Sequence, residues 1–305
     1  MTASVVVNVL AWNGEAWLGP CLDSVLADPY PHRTVVVDNG SRDGSRALVA
    51  ARYPQVTLIA NGRNEGFAGG HNVGIRAALR AGADYVVLLN QDIVAQPGWL
   101  GQLVDAGARH PEIGVFAPLV LDYEGREIDP LCLRILALSP AYRARRPPLA
   151  ALEPLYEVGA AFAAALCVRA EVLRRVGLFD PLFFTYHEEG DFFQRARYHG
   201  VRTAVVTQSR IHQWHTGVRP DALSLKSRVL MARNSGLVRL KDPARSFPAS
   251  LGAHARAVAS GLARPGWKRR LLLLAVQPWV AALVPAILVK RRRERRGGTY
   301  VDASR

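Results

Sequence analysis

Four short apolar runs, residues 4–10, 34–38, 57–60 and 85–90, carry few charges and are separated by segments with helical spacing. Runs that are hydrophobic throughout, rather than alternating, are what strands buried on both faces require. The intervening segments 17–26, 45–53 and 71–81 space their apolar residues as helices do. A β, α, β, α, β, α, β order leaves little choice of architecture, because each crossover returns the chain to a parallel neighbour. The predicted class is therefore α/β, a mostly parallel sheet flanked by helices. Ligands of such sheets gather beyond the carboxyl ends of the strands.

Polar residues fall at those ends. Asp38 closes the second run in VVVDNGSRDGS, the segment NEGFAGGHNVG (64–74) follows the third, and Asp92 follows the fourth in VVLLNQDI. Two roles fit Asp38: accepting hydrogen bonds from a base or ribose, or capping its own turn. The glycines either let backbone approach a phosphate ahead of a helix amino end or serve tight packing. Neither G-x-G-x-x-G nor a Gly-Lys-Ser/Thr ending occurs there, so a dinucleotide or triphosphate site is not indicated. Asp92 suits a hard cation, Mg2+ or Mn2+, that offsets a diphosphate, or else caps the following segment.

Downstream, FDPLFFTYHEEGDFFQRARYHG sets Glu188, Glu189 and Asp191 within four positions. Crowded acids raise one another's pKa or share a cation, and acids also favour a helix start on their own account. His212 and His215 flank Trp214 in RIHQWHTG. They fit metal or phosphate ligands, or hydrogen-bonded histidines with no ligand. Residues 139–148 (SPAYRARRPP) are expected to form an exposed loop.

Half of the 305 residues are hydrophobic, enough for a substantial core. Cys21, Cys132 and Cys167 lie far apart, so neither a zinc ribbon nor a disulfide framework is indicated and a cytoplasmic setting is expected. The first run lacks a preceding basic segment, so the amino terminus is expected to start the fold. From residue 251 onward there are 12 Lys or Arg and 2 Asp or Glu, so +10 of the net +14 lies in the last 55 residues. That is a near-neutral domain with a basic tail, not a nucleic-acid-binding surface. Within the tail, residues 271–289 have no formal charge and basic residues on both sides, nearly a bilayer's worth of helix. Pro278 and Pro285 interrupt it. Membrane association is expected, through a kinked or in-plane helix or a spanning one; a buried helical hairpin is the alternative.

Taken together, the segments resemble the family 2 glycosyltransferases, especially their bacterial rhamnosyltransferase-like branch. The strand leading to Trp12 and Asn13, VVVDNGSRDGS, NEGFAGGHNVG, LLNQDIVAQPGWL, the acidic segment, IHQWHTG and ARNSGLVRLK occur in family order between residues 4 and 241. The resemblance implies a GT-A domain over 1–245, with a nucleotide-sugar half (1–120) and an acceptor half (121–245), followed by the tail 246–305. It implies inverting transfer of a sugar, with L-rhamnose from a dTDP donor favoured. The acceptor would be lipid-linked or a polysaccharide in cell-envelope glycan synthesis, met at the cytoplasmic face of the membrane. On matching positions it assigns the donor to Asn13, Asp38, Asn64, Gly66, Gly69, Gly70, Asn72 and Asn90. The metal, Mg2+ or Mn2+, goes to Asp92 and His212, with His215 as alternative. Glu188, Asp191 and Trp214 would meet the acceptor, and Glu189 would be the general base. Two departures stand out: Glu189 replaces the family's Asp, and Gln91 leaves Asp92 without the neighbouring acid of a full D-x-D. They keep a second function in view, a catalytically silent relative that binds sugar nucleotide or glycan.

Overall fold

The computed structural model describes residues 2–214 and 223–302. Its first part is the expected alternation: β1 (Val5–Ala11), α1 (Glu15–Leu26), β2 (His32–Asp38), α2 (Ser45–Arg52), β3 (Thr57–Ala60), α3 (Gly66–Arg80) and β4 (Tyr85–Asn90). β1 pairs in parallel with β2 and β4, and β2 with β3. Val5 to Val7 and Val86 to Leu89 are all buried, as strands covered on both faces require. One boundary differs from expectation. α3 begins at Gly66 rather than at residue 71, so the glycines form its first turns.

After β4 come β5 (Ile93–Ala95), α4 (Trp99–Arg109), β6 (Ile113–Leu121), α5 (Pro130–Leu136), α6 (Pro140–Arg145), β7 (Leu155–Val158), β8 (Ala165–Arg169), α7 (Ala170–Val176), α8 (Glu188–Tyr198) and β9 (Arg202–Gln213). The sheet order is β3-β2-β1-β4-β8-β6-β9-β5, with β7 also on β9. β8 runs antiparallel to β4 and β6, while β6 and β9 are parallel. The two expected halves therefore share one continuous mixed sheet. Residues 140–145 are helical instead of looped, because Pro140 suits a first turn and Tyr142 buries against Tyr156.

The remaining helices are α9 (Leu225–Lys241), α10 (Phe247–Ala263), α11 (Trp267–Ala275), α12 (Gln277–Ala282) and α13 (Val284–Arg296). Pro278 and Pro285 sit in the first turns of α12 and α13 and divide the apolar stretch. Helices α11 and α12 together meet α13 at 64°, and no single helix among the described residues is long and apolar enough to cross a membrane. The chain then returns to the body: Arg76 of α3 donates to the carbonyls of Tyr300 and Val301. Lys241, unexposed, lies 2.7 Å from both Asp180 and Asp191 and 2.6 Å from Glu294 of α13. Arg195 pairs with Asp191, and Lys290 with Asp180. Burial alone would lower the Lys241 pKa, but the three carboxylates overcome it and hold the amine above its ordinary value. Residues 246–305 are consequently not the separate tail expected; α13 completes a charge cluster inside the folded body.

Candidate functional site

A cleft of about 1000 Å³ opens beyond the carboxyl ends of β1, β2 and β4, at the upper end of the usual size for a ligand site. Asn13, Asn39, Asn64, Asn90 and Asp92 line its sheet side, and Phe184 to Tyr186 and α9 line the other. Asp38 ends β2 just before the lining residues Asn39 and Gly40. It is 2% exposed. Its Oδ1 accepts from the Ser41 amide at 3.3 Å, and Arg46 stands 3.9 Å from Oδ2. Oδ2 nevertheless has no hydrogen-bond donor among the described residues. A buried acceptor left so is costly, and the N–H of a bound base would satisfy it.

An asparagine network shapes the cleft floor. Asn39 donates to the Gly66 carbonyl at 3.0 Å and to Asn64 at 3.2 Å, and accepts from the Glu65 amide and from Asn61. Asn64 in turn accepts from the Gly66 amide at 2.7 Å. Gly66 takes φ +72° and passes so near the Phe184 carbonyl that a Cβ would collide with it, which only glycine tolerates. Asn39 is a site residue that the sequence reading passed over, although it directly follows Asp38. Gly69 and Gly70 do not line the cleft; Gly70 packs against Leu10 and Asn39, and Gly69 against Glu65. Asn72, expected at the donor, is buried instead and exchanges two hydrogen bonds with the Phe179 backbone, at 2.8 and 3.1 Å. It joins α3 to the approach to Asp180.

Asp92 lies on the cleft wall, where its carboxylate accepts from Gln213 at 3.3 Å. Gln91 beside it accepts from the Trp12 amide at 2.8 Å and donates to the Trp12 carbonyl at 3.1 Å. A carboxylate could make only the first bond and would repel the carbonyl. Gln91 is the middle position of Asn90-Gln91-Asp92, so these bonds fix the turn beside Asp92, and the first acid of a D-x-D would fall at Asn90, which lines the cleft. His212, expected as a metal ligand, is engaged by other partners. Its Nε2 lies 2.8 Å from the Gln96 amide nitrogen and its Nδ1 3.2 Å from the carbonyls of Asp122 and Tyr123. These contacts fit the tautomer protonated at Nδ1, with both ring nitrogens committed. Among the described residues no three of His, Cys, Asp or Glu gather to hold an ion; His215 lies outside them. Trp214 forms an aromatic rim with Trp17 and Tyr123, at centroid distances of 4.9 and 3.9 Å. Of the three, Trp17 lines the cleft.

The wall facing the sheet is built unusually. Phe184, Tyr186 and His187 all have positive φ, at 62°, 71° and 69°, conformations that side chains other than glycine adopt at a cost. One buried amide holds them: Asn234 Nδ2 donates to the carbonyls of Phe183, Thr185 and Tyr186 at 2.8, 2.8 and 2.7 Å. Arg233 orients Asn234 from Nε at 2.8 Å and donates to Leu182. This is the role of ARNSG, which sequence alone did not disclose. Glu188 and Glu189 follow in the first turn of α8, and neither lines the cleft. Burial first, then the neighbouring Glu189 charge, pushes Glu188 well above the usual carboxylate range. Glu189 is also raised by burial, against the pull of backbone amides at its own position, Gly190 and His187. Asp191, expected at the acceptor, is instead buried in its bonds to Arg195 and Lys241.

Comparison with known proteins points one way. The model of the family "Glycosyl transferase family 2" matches residues 6–165. The chain is 30% identical over 229 residues to the N-acetylglucosaminyl-diphospho-decaprenol L-rhamnosyltransferase of Mycobacterium tuberculosis, covering 66% of this chain and 73% of that protein. It is 31% identical over 202 residues to galactofuranosyltransferase GlfT1 of the same organism, covering 64% and 65%. Among solved structures, the mannosyltransferase PcManGT of Pyrobaculum calidifontis, in complex with GDP-Man and Mn2+, superposes with TM-score 0.61 at 17% identity, over 97% of this chain and 87% of that one. S. aureus TarS 1–349 with UDP superposes with TM-score 0.58 at 15% identity, over 96% and 88%. These likenesses establish the GT-A fold.

Proposed function

The chain belongs to glycosyl transferase family 2, and from that premise we propose that it is an inverting, divalent-metal-dependent transferase moving L-rhamnose from a dTDP donor to a lipid-linked acceptor of the cell envelope. The observation that carries the reading is the strand-end cleft, with Asn39 and Asn64 on its floor and Asp92 on its wall, while Asp38 lies buried just behind the lining. Rhamnose and the lipid-linked acceptor are supported by the likeness to the mycobacterial rhamnosyltransferase. Membrane attachment at the cytoplasmic face is supported by the basic, apolar helices α10 to α13.

A single wall carboxylate fits Mg2+ or Mn2+, which commonly take one or two protein acids and complete their shell with substrate phosphates and water. A cation held at Asp92 supplies charge that stabilises the departing diphosphate. Asp38 accepts the N–H of the base, and the Asn39–Asn64 network fixes the loop over the donor. Glu189, its pKa raised by burial, takes the proton of the acceptor hydroxyl. A catalytically silent binder competes with this reading because Glu189 stands off the cleft wall.

Transfer by the purified chain, with dTDP-rhamnose and Mn2+, onto a lipid-diphosphate acceptor tests both readings. Asp92→Asn and Glu189→Gln should each lower turnover on the order of 100-fold or more, while Glu189→Gln still binds donor by calorimetry. Full activity in either variant overturns the assigned roles. Absence of transfer and of donor hydrolysis in the wild type favours the silent binder.

A further inference from the structure

A second cavity, of about 260 Å³, lies among α9, α10, α11 and α12, remote in sequence from the residues that line the cleft floor. Three cations face it: Arg239, Arg264 and Arg269, together with Ser235, Ser260 and His254. Arg239 is half-buried and donates to the Ser235 carbonyl and hydroxyl, both at 2.6 Å. None of the three arginines has a carboxylate partner among the described residues. His254, 9% exposed, bonds Gln277 through Nε2 at 2.9 Å, and its Nδ1 has no partner among the described residues. Convergent cations without an acid describe a site for an anion that arrives from outside the fold.

The surroundings identify the anion's source. Trp267, Leu271 and Leu274 recur along one stripe of α11 and are 67%, 57% and 50% exposed. Arg269 and Leu273, on the opposite face of α11, turn toward the cavity, the arrangement of a helix lying in the headgroup plane with its apolar face down and its cations level with the phosphates. The chain has no Asp or Glu between Asp242 and Glu294, and ten Lys or Arg in that interval. An exposed apolar stripe set among cations, with no acid nearby, matches the interfacial zone of an anionic bilayer rather than an acidic protein surface. The Pro-broken helices suit lying along such a surface.

We propose that this cavity seats the phosphate of an anionic membrane lipid, with Arg239, Arg264 and Arg269 around the phosphate and Trp267, Leu271 and Leu274 entering the bilayer just below the headgroups. The assignment rests on the membrane part of the proposed function and is independent of its chemistry. It predicts a lipid contact specific to the cavity, beyond diffuse attraction to a basic surface.

Flotation of the full chain with phosphatidylcholine vesicles, with and without phosphatidylglycerol, tests it. The wild type should float with the anionic vesicles alone. Arg264→Gln with Arg269→Gln should weaken that binding on the order of 300-fold, whereas Arg292→Gln with Arg293→Gln, the same charge removed outside the cavity, should weaken it by at most about 30-fold, the loss of two diffusely attracted charges. Equal weakening by the two pairs overturns the cavity and leaves only diffuse attraction. No flotation on anionic vesicles overturns both the cavity and the membrane attachment, while transfer to a soluble acceptor analogue continues to report on the transferase reading. Stabilisation of the wild type by millimolar inorganic phosphate, lost in Arg264→Gln/Arg269→Gln and undisturbed by vesicles, reassigns the cavity to free phosphate and overturns the lipid source. All four arginines are exposed, and an unchanged thermal midpoint confirms each fold; Arg264→Gln alone serves if the double variant melts early.

Discussion

A primary amide on α9 decides the shape of the cleft's far wall. Asn234 supplies both of its N–H groups to three carbonyls of the 183–186 segment, where no other residue type of that size could donate and also accept from Arg233. Asn234→Ala should therefore leave buried carbonyls without their donor and free the positive-φ residues to relax, costing about 2–4 kcal/mol. Chemical denaturation gives the loss of stability, and donor titration should show weakened binding in the same variant; unchanged values for both would refute the clamp. Asp38 and Asp92 stood out in the sequence because they fall at strand ends, although turn capping fitted each of them as well. Asn234 was not, since its partners lie about fifty positions earlier in the chain. His212 and Asp191 misled for a related reason: residue type and spacing show what a side chain can bind, not which neighbour reaches it first.

Among the elements, α3 combines what sequence shows with what it hides. Its glycines read as a loop because each costs a helix about 1 kcal/mol relative to alanine. In the fold that cost is offset by close approach, Gly70 to Leu10 and Gly74 to Asn8. The strands were simpler to place: 85–90 falls where expected because a buried parallel strand declares itself by continuous apolarity, and 57–60 does so too, although as the sheet-edge strand β3 it is only partly buried. The insertion of β8 between β4 and β6 was hidden, since it joins residues some eighty positions apart. Inside α3, His71 is wholly buried, and desolvation lowers its pKa from 6.5 to about 3. A depressed folded pKa means that the unfolded chain takes up a proton in that interval while the folded chain refuses it. Stability is accordingly complete above 6.5 and declines as pH falls toward 3, by about 2 kcal/mol between pH 7 and pH 5 from this group. His71→Gln should flatten that part of the stability profile, measured by urea denaturation across the range; an unaltered slope would show that other groups govern it.

On the scale of the molecule, the charge cluster around Lys241 unites Asp180, α8, α9 and α13. Buried charges of this kind contribute little when complete, but losing one partner strands the others. Glu294→Gln should destabilise the protein by about 3–5 kcal/mol, read from the denaturation midpoint, and truncation after Pro265 should be worse because it also removes Lys290. A midpoint unchanged in Glu294→Gln would sink the role given to the cluster. The charge asymmetry of the last 55 residues was visible in the sequence, but the return of α13 to the body was not, because a run of arginines reads as solvated and the Lys241 amine that Glu294 meets and the Leu240 and Asp242 carbonyls that Arg291 meets lie about fifty positions earlier.

That return also orders events during synthesis. Strands β1 to β4 can pair with one another as they leave the ribosome, since those partners are near in the chain. Lys241, which holds Asp191 of α8, remains short of its third carboxylate until Glu294 has been made, and Arg76 waits for the Tyr300 and Val301 carbonyls. The helix that begins with Glu188 and Glu189 is thus locked last. On the proposed function, a ribosome-bound fragment would form the donor side of the cleft before the acidic helix is fixed beside it.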